Sequence, residues 1–217
     1  ERWLKIELHH DSYQAWICQK QWLKITQEDY DYYSSNNFPC IGSKWTTVTN
    51  DSTGEEIPVS YGALLPRHDG NGHFKLGNQQ FTHNGDIASL DKTDLIKYAQ
   101  SLLNTPYLWG GRGSFGIDCS GFSQLVYRLV GEILPRDAYQ QAELGETIQF
   151  VDLVQVGDLV FFDNEEGRIN HVGIVLKKGE VIHASGRIRI DKLDHQGIFA
   201  EDSKSYTHNL RIIKRIF

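Results

Sequence analysis

The sequence predicts an α+β protein, with a small β-barrel region followed by a larger domain built on an antiparallel sheet. Three observations carry this. The first part of the chain holds short strand-like runs broken by frequent turn residues. Near residues 85–92 the texture changes to apolar residues at three- and four-residue spacing. Branched and aromatic runs separated by turns then continue to the C-terminus, and strands that follow helices rather than alternate with them point to an antiparallel sheet.

Taken in order, residues 3–17 alternate apolar and polar positions around a turn at Asp11-Ser12, which predicts a hairpin. Over 44–81 the runs 45–49, 57–59, 62–65, 73–76 and 79–81 are punctuated by Gly, Pro, Asn and Asp, as in a small barrel. From Lys92, the residues Leu95, Ile96, Ala99, Leu102 and Leu103 stand at helical spacing, and Asn104-Thr105-Pro106 ends that helix. After a Gly-rich loop, Phe122, Leu125, Val126, Leu129 and Val130 mark a second helix with one buried face, starting near Cys119. Strands are expected at 158–162, 171–176, 180–184 and 210–216. The resulting division is 1–88 for the barrel region and 89–217 for the second domain.

With 40% hydrophobic and 23% charged residues over 217 positions, the chain has material for real cores. A net charge of -6 and the lack of any Lys/Arg run argue against nucleic acid as a partner. No apolar stretch reaches the roughly 20 residues of a membrane span, and the N-terminus lacks a signal-peptide pattern. Three cysteines, Cys18, Cys40 and Cys119, cannot all pair. Cys18 and Cys40 read as small buried apolar residues; whether they bridge is left open.

Cys119 has a different setting. In Asp118-Cys119-Ser120-Gly121 it occupies the expected first turn of a helix, where unpaired N–H groups and the dipole favour a thiolate and could hold an oxyanion. A cysteine nucleophile needs a base, and the base needs a partner that orients it. His171 and His183 lie on consecutive strands, and their even separation puts them on one face if the intervening register is odd or bulged. His171, His183 and His195 show no tight metal-ligand spacing. Asp69-Gly70-Asn71-Gly72-His73 lacks the remaining ligands of a calcium loop, and Gly110-Gly111-Arg112-Gly113 lacks the sequel of a phosphate loop. No metal and no cofactor are expected.

The segments Pro106-Tyr107-Leu108-Trp109-Gly110-Gly111, Asp118-Cys119-Ser120-Gly121-Phe122, Leu134-Pro135-Arg136-Asp137-Ala138, Gly157-Asp158-Leu159-Val160-Phe161-Phe162 and His171-Val172-Gly173-Ile174 together resemble the NlpC/P60 cysteine peptidases, from about Leu95 to Phe217. The resemblance implies a papain-like catalytic domain with Cys119 as nucleophile, His171 as base and His183 as third residue. The first half is similar to bacterial SH3-like domains, with Asp11-Ser12-Tyr13-Gln14-Ala15-Trp16-Ile17 matching a strand motif of theirs. The chain opens inside that pattern, so the first barrel is expected to lack early strands.

SH3-bearing members of the family cleave peptidoglycan stem peptides between γ-D-glutamate and the following diamino acid, usually with a free N-terminal L-alanine. The resemblance implies that reaction here. It also implies substrate contacts by Tyr13, Tyr107, Asp118, Ser120 and Asp137, with Tyr107 close to the nucleophile. Ala138 stands where some relatives have Ser, so that hydrogen bond is not expected. The alternatives are a wall-binding SH3-like protein without catalysis, and another thiol-dependent amidase or acyltransferase on the same fold. The expected partners are peptidoglycan-derived peptides, and the protein itself is expected to be a monomer; the cell envelope is favoured over the cytoplasm as the place of action.

Overall fold

The computed structural model describes residues 2–9 and 11–217, and the chain divides into two units, Glu1–Ile87 and Ala88–Phe217. In the first unit, β1 (Trp3–Glu7) and β2 (Gln14–Cys18) form the expected hairpin. A helix α1 (Gln27–Ser35) follows, which sequence reasoning did not assign because it has no apolar stripe. Its legible signal was local: Thr26 caps it by accepting from the Asp29 N–H at 3.1 Å, with Glu28 and Asp29 in the first turn.

Strands β3 (Thr46–Asn50), β4 (Glu56–Val59), β5 (His73–Leu76) and β6 (Gln79–His83) pair antiparallel in the order β4-β3-β6-β5. Ile41, Val48, Leu65, Phe74 and Phe81 form their core, and the Phe74 and Phe81 rings stack at 5.3 Å. The run expected at 62–65 contributes an isolated bridge, Cys40 to Leu64, rather than a strand. Among the described residues the strands of this unit make a hairpin and a four-stranded sheet.

The second unit begins with α2 (Leu95–Ser101), entered through a 3-10 turn over Lys92–Asp94. The Gly-rich loop holds a small hairpin of β7 (Arg112–Gly113) and β8 (Gly116–Ile117), directly before α3 (Cys119–Leu129). A short α4 (Ala138–Gln141) and β9 (Glu146–Ile148) lead into the main strands: β10 (Leu159–Asp163), β11 (Ile169–Lys177), β12 (Glu180–Ser185), β13 (Arg187–Leu193), β14 (Gly197–Ala200) and β15 (Ser205–Arg215). All pairings are antiparallel, and because β10 pairs with both β11 and β15, the six strands from β10 to β15 close on themselves; β9 adds to β15.

Closure leaves an apolar interior of Val160, Phe162, Val175, Val181, Leu193, Ile198 and Ile213. Helix α3 is buried on nearly all sides, not on one face as its spacing predicts, and its polar residues find partners accordingly. Ser123 Oγ donates to Gln141 Oε1 at 2.6 Å, and Gln124 Nε2 donates to the Leu134 carbonyl at 2.8 Å. The start of the helix is fixed by a close approach: a Cβ on Gly121 would lie 2.3 Å from the Gly111 carbonyl oxygen. Gly121→Ala is therefore expected to force the Gly-rich loop away from α3 at a cost of about 1–3 kcal/mol, read as a lowered urea midpoint at unchanged slope; an unchanged midpoint would show that the loop yields freely.

Candidate active site

Asp118 caps α3 from an extended conformation, its carboxylate accepting the Gly121 N–H at 2.7 Å. Cys119 is thereby the first residue of the helix and is buried, with Sγ 3.9 Å from the Asn170 carbonyl oxygen and receiving the Val172 N–H. Those two residues flank His171 on β11. The β11–β12 ladder ends at the Gly173–His183 pair, so the β11 edge next to His171 has no β12 partner, and the thiol occupies it.

The same ladder decides where the histidines point. Beside the turn Lys177 pairs with Glu180, but after a bulge at Leu176 the pairing becomes Val175–Val181 and Gly173–His183. The extra residue changes the register parity, so His171 and His183 share a face. His171 Nε2 lies 2.9 Å from His183 Nδ1. Gly173, directly opposite His183, keeps this crowded face open: a Cβ there would stand 2.5 Å from Val181 Cγ2 and 3.1 Å from His183 Cβ.

Two residues that sequence reasoning missed complete the group. Asp191 on β13 lies on the same face, and its Oδ2 is 2.9 Å from His183 Nε2 while Arg189 Nη2 donates to its Oδ1 at 2.8 Å. His208 on β15 stacks on His171, with ring centroids 4.0 Å apart and planes at 24°. Phe162 touches both rings, at 5.7 Å and 5.8 Å, and roofs the apolar interior.

Burial sets the charges. It pushes the Cys119 thiol up, with the Asp118 charge adding to it, and the N–H groups of Val172, Ser120 and Cys119 offset only part of this. The expectation of a thiolate stabilised by the helix N-terminus is corrected on this point, because desolvation of a buried sulfur outweighs the local N–H groups. His171 is held well below the ordinary imidazole value by burial first, then by His208 and His183. His208 is itself lowered to about 4, again by burial first. Burial alone would raise Asp191, but hydrogen bonds from His183 and Arg189 outweigh it and hold the carboxyl below its usual range. The resting site is a neutral thiol beside a neutral imidazole.

Residues 104–206 match the NlpC/P60 family. The likeness to that family rests on these residues, a little under half of the chain. It is 37% identical over 175 residues to a gamma-D-glutamyl-L-lysine dipeptidyl-peptidase of Bacillus subtilis (strain 168), covering 75% of this chain and 59% of that protein. A Bacillus cereus (strain ATCC 10987) protein of the same description is 28% identical over 208 residues, covering 84% of this chain and 61% of that one. The chain thus spans about three fifths of the length of these relatives. Among solved structures, an NlpC/P60 family protein from Bacillus cereus ATCC 10987 superposes over 99% of this chain and 76% of its own at 24% identity, with a TM-score of 0.77, which shows a common fold.

The other residues singled out in the sequence have definite places. Tyr107 is half-buried, and its phenol is raised by burial first and then by Cys119 and Asp118. Asp118 and Ser120 are buried and internally engaged: Arg136 Nη1 donates to Asp118 Oδ1 at 3.0 Å and to Ser120 Oγ at 2.9 Å, Arg136 Nη2 donates to Asp118 Oδ2 at 2.5 Å, and the Gly110 N–H donates to the same oxygen at 2.8 Å. Their visible work is to hold the Gly-rich loop and the helix start together. In the Arg136-Asp137 pair it is the arginine that reaches this cluster; Asp137 stands at the N-terminus of α4, its N–H donating to Gln140 Oε1 at 3.1 Å. Tyr13 belongs to the first unit, between β1 and β2, and is 37% exposed. Cys18, Cys40 and Cys119 are not joined in disulfides.

The histidines also answer the question of a metal differently from their spacing. His208, not His195, joins His171 and His183, with one nitrogen of each within 4.8 Å of the others. Ligation needs in-plane lone pairs aimed at one point about 2.0–2.1 Å away. The stacked rings of His171 and His208 set their planes side by side, and His171 Nε2 is engaged with His183. The arrangement suits ring packing and proton traffic better than ligation.

Asp191 had a signal in the alternation Ile188-Arg189-Ile190-Asp191, which puts Arg189 and Asp191 on one strand face. His208 had none, since only the closing strand β15 brings it to His171. Because Arg136 neutralises a buried carboxylate, Arg136→Met should cost about 3–5 kcal/mol in urea unfolding. The double variant Arg136→Met, Asp118→Asn should cost clearly less than the sum of its parts; strict additivity would show that the two charges do not sense each other.

Proposed function

We propose that this protein is a cysteine peptidase of peptidoglycan stem peptides that cleaves between γ-D-glutamate and the following diamino acid. The observation that carries the reading is the buried Cys119 thiol at a helix N-terminus, lodged against the backbone on either side of His171, whose ring is bound to His183. The NlpC/P60 match over 104–206 and the description of the Bacillus relatives support the choice of substrate.

In the reaction, His171 takes the Cys119 proton as the sulfur attacks the γ-D-glutamyl amide carbon, forming the C–S bond. The N–H groups at the start of α3 face the developing oxyanion, and Tyr107 stands close enough to Cys119 to raise its own pKa. The C–N bond then breaks as His171 returns the proton to the leaving amine. Water, deprotonated by His171, attacks the thioester, and the thiol leaves with the proton. No step requires a preformed thiolate, in keeping with a thiol raised and an imidazole lowered by burial.

The finer reading is that the substrate needs a free N-terminal L-alanine and that the first unit is SH3-like and contributes Tyr13 to its recognition. The amine requirement is tested by mass spectrometry of L-Ala-γ-D-Glu-diaminopimelate and its L-Lys counterpart, each also as the N-acetylated peptide. Release of L-Ala-D-Glu is expected from the parent and not from Cys119→Ala, and only from peptides with a free amine. Cleavage of the acetylated peptides would remove the amine requirement, and no cleavage of any peptide would move the activity to another wall amide or to binding alone.

The depressed His171 pKa has a consequence for acid. The neutral base persists below its unfolded value of about 6.5, so the acid limb of kcat/KM should fall below pH 6.5. A limb at or above 6.5 contradicts the neutral pair. Stability has the same sign: folded His171 binds its proton only at lower pH than the unfolded chain does, so its stabilising contribution is complete above about pH 6.5 and is lost as pH falls. The Tm should decline on acidification from that point.

A further inference from the structure

We propose that Asp191 is a positioning residue that selects the tautomer of His171 through His183, leaving His171 Nδ1 without a proton. The inference rests on the reading of Cys119 and His171 as nucleophile and base. It comes from donor and acceptor bookkeeping across three adjacent strands. Asp191 is ionised and can only accept, and its Oδ2 lies 2.9 Å from His183 Nε2. His183 therefore carries its proton on Nε2 and, when neutral, presents a bare Nδ1. That nitrogen lies 2.9 Å from His171 Nε2, so His171 must be the donor there. A neutral His171 protonated on Nε2 has its lone pair on Nδ1, the form that can take a proton from a thiol.

The alternative arrangement fails at each link. A proton on His183 Nδ1 would face His171 Nε2 and turn the proton of His171 onto Nδ1. It would also leave a bare His183 Nε2 against a carboxylate oxygen, two acceptors in a buried site. Arg189 closes the remaining freedom: its Nη2 donates to Asp191 Oδ1 at 2.8 Å and its Nη1 to Asp202 at 2.8 Å, which fixes the carboxylate in rotation and in charge. The groups facing His183 are thus His171 from β11, Asp191 and Arg189 from β13, and His208 from β15, whose ring stands at 5.6 Å.

Asparagine at position 191 reverses the logic with almost no change of shape. If its amide nitrogen faces His183, it donates to Nε2 and drives the proton to Nδ1. Either way the amide nitrogen meets an Arg189 donor, Nε at 2.6 Å from the Oδ2 position in the first orientation and Nη2 at 2.8 Å from the Oδ1 position if the amide turns over, so the substitution removes the fixed acceptor that holds the His183 proton on Nε2. Asp191→Asn should therefore lower kcat by up to about 10⁴-fold, the scale seen when the carboxylate of a serine-protease triad is changed to an amide, with KM changed much less. The reaction of Cys119 with iodoacetamide near neutral pH should slow as well, in the absence of any peptide.

The test begins with 15N spectra of histidine-labelled parent protein above pH 7. The expected pattern is His183 and His171 both protonated on Nε2 and bare on Nδ1, with the Nδ1 form appearing at both rings in Asp191→Asn. A parent His183 carrying its proton on Nδ1 overturns the proposal whether or not the variant folds. So does a folded Asp191→Asn protein with parental kcat and alkylation rate. Failure of the peptide assay with the tautomer pattern and alkylation effect intact would count against the substrate reading and leave the role of Asp191 standing.

Discussion

One extra residue in a β-ladder governs the chemistry of this protein. The bulge at Leu176 shifts the β11–β12 register by one, and every side chain beyond it is assigned to its face by that shift. With it, His171, His183 and Asp191 line up diagonally across three strands, each within hydrogen-bond reach of the next. Without it His171 and His183 would point to opposite faces of the sheet, and no rearrangement of side chains could restore their contact. The unpaired stretch of β11 that follows also makes the slot in which the Cys119 sulfur lies.

Around that line the structure spends its polar groups sparingly. The buried carboxylates each meet an arginine: Asp118 meets Arg136, Asp191 meets Arg189, and Asp158 takes a bidentate pair from Arg215 at 2.8 Å. These pairs hold positions more than they add stability, since desolvation cancels much of their attraction. Arg136 is the clearest case. It ties the helix cap, Ser120 and the Gly-rich loop into one start for α3, so that a thiol at the first helical position is held against the backbone of β11. Burial favours the neutral forms of both the Cys119 thiol and the His171 imidazole.

Much of this was legible in the chain. Asp118-Cys119-Ser120-Gly121 announced a capped helix with a cysteine in its first turn because capping is a local interaction between residues three apart. The strands near His171 and His183 were legible because branched and aromatic runs between turn residues need no distant information. What failed was of two kinds. Strand β13 and helix α1 carry mixed, polar sequences, and β14 is only four residues long, so their structure comes from their neighbours. The pKa of Cys119 was misjudged because the helix dipole is readable from sequence and the depth of burial is not.

By itself, then, the sequence determined the cysteine in a first helical turn, its helix, the strands that carry the two histidines and the kind of domain that holds them, all of them properties of residues close in the chain. Tertiary structure alone decided that His171 and His183 share a face, that Asp191 and His208 join them, and that Arg136 rather than Asp137 serves the helix start. The reason is that register and strand closure join residues far apart in the chain. A one-residue bulge inverts a face without leaving a mark in composition or periodicity, and the partner of a buried charge is known only when the strands have met.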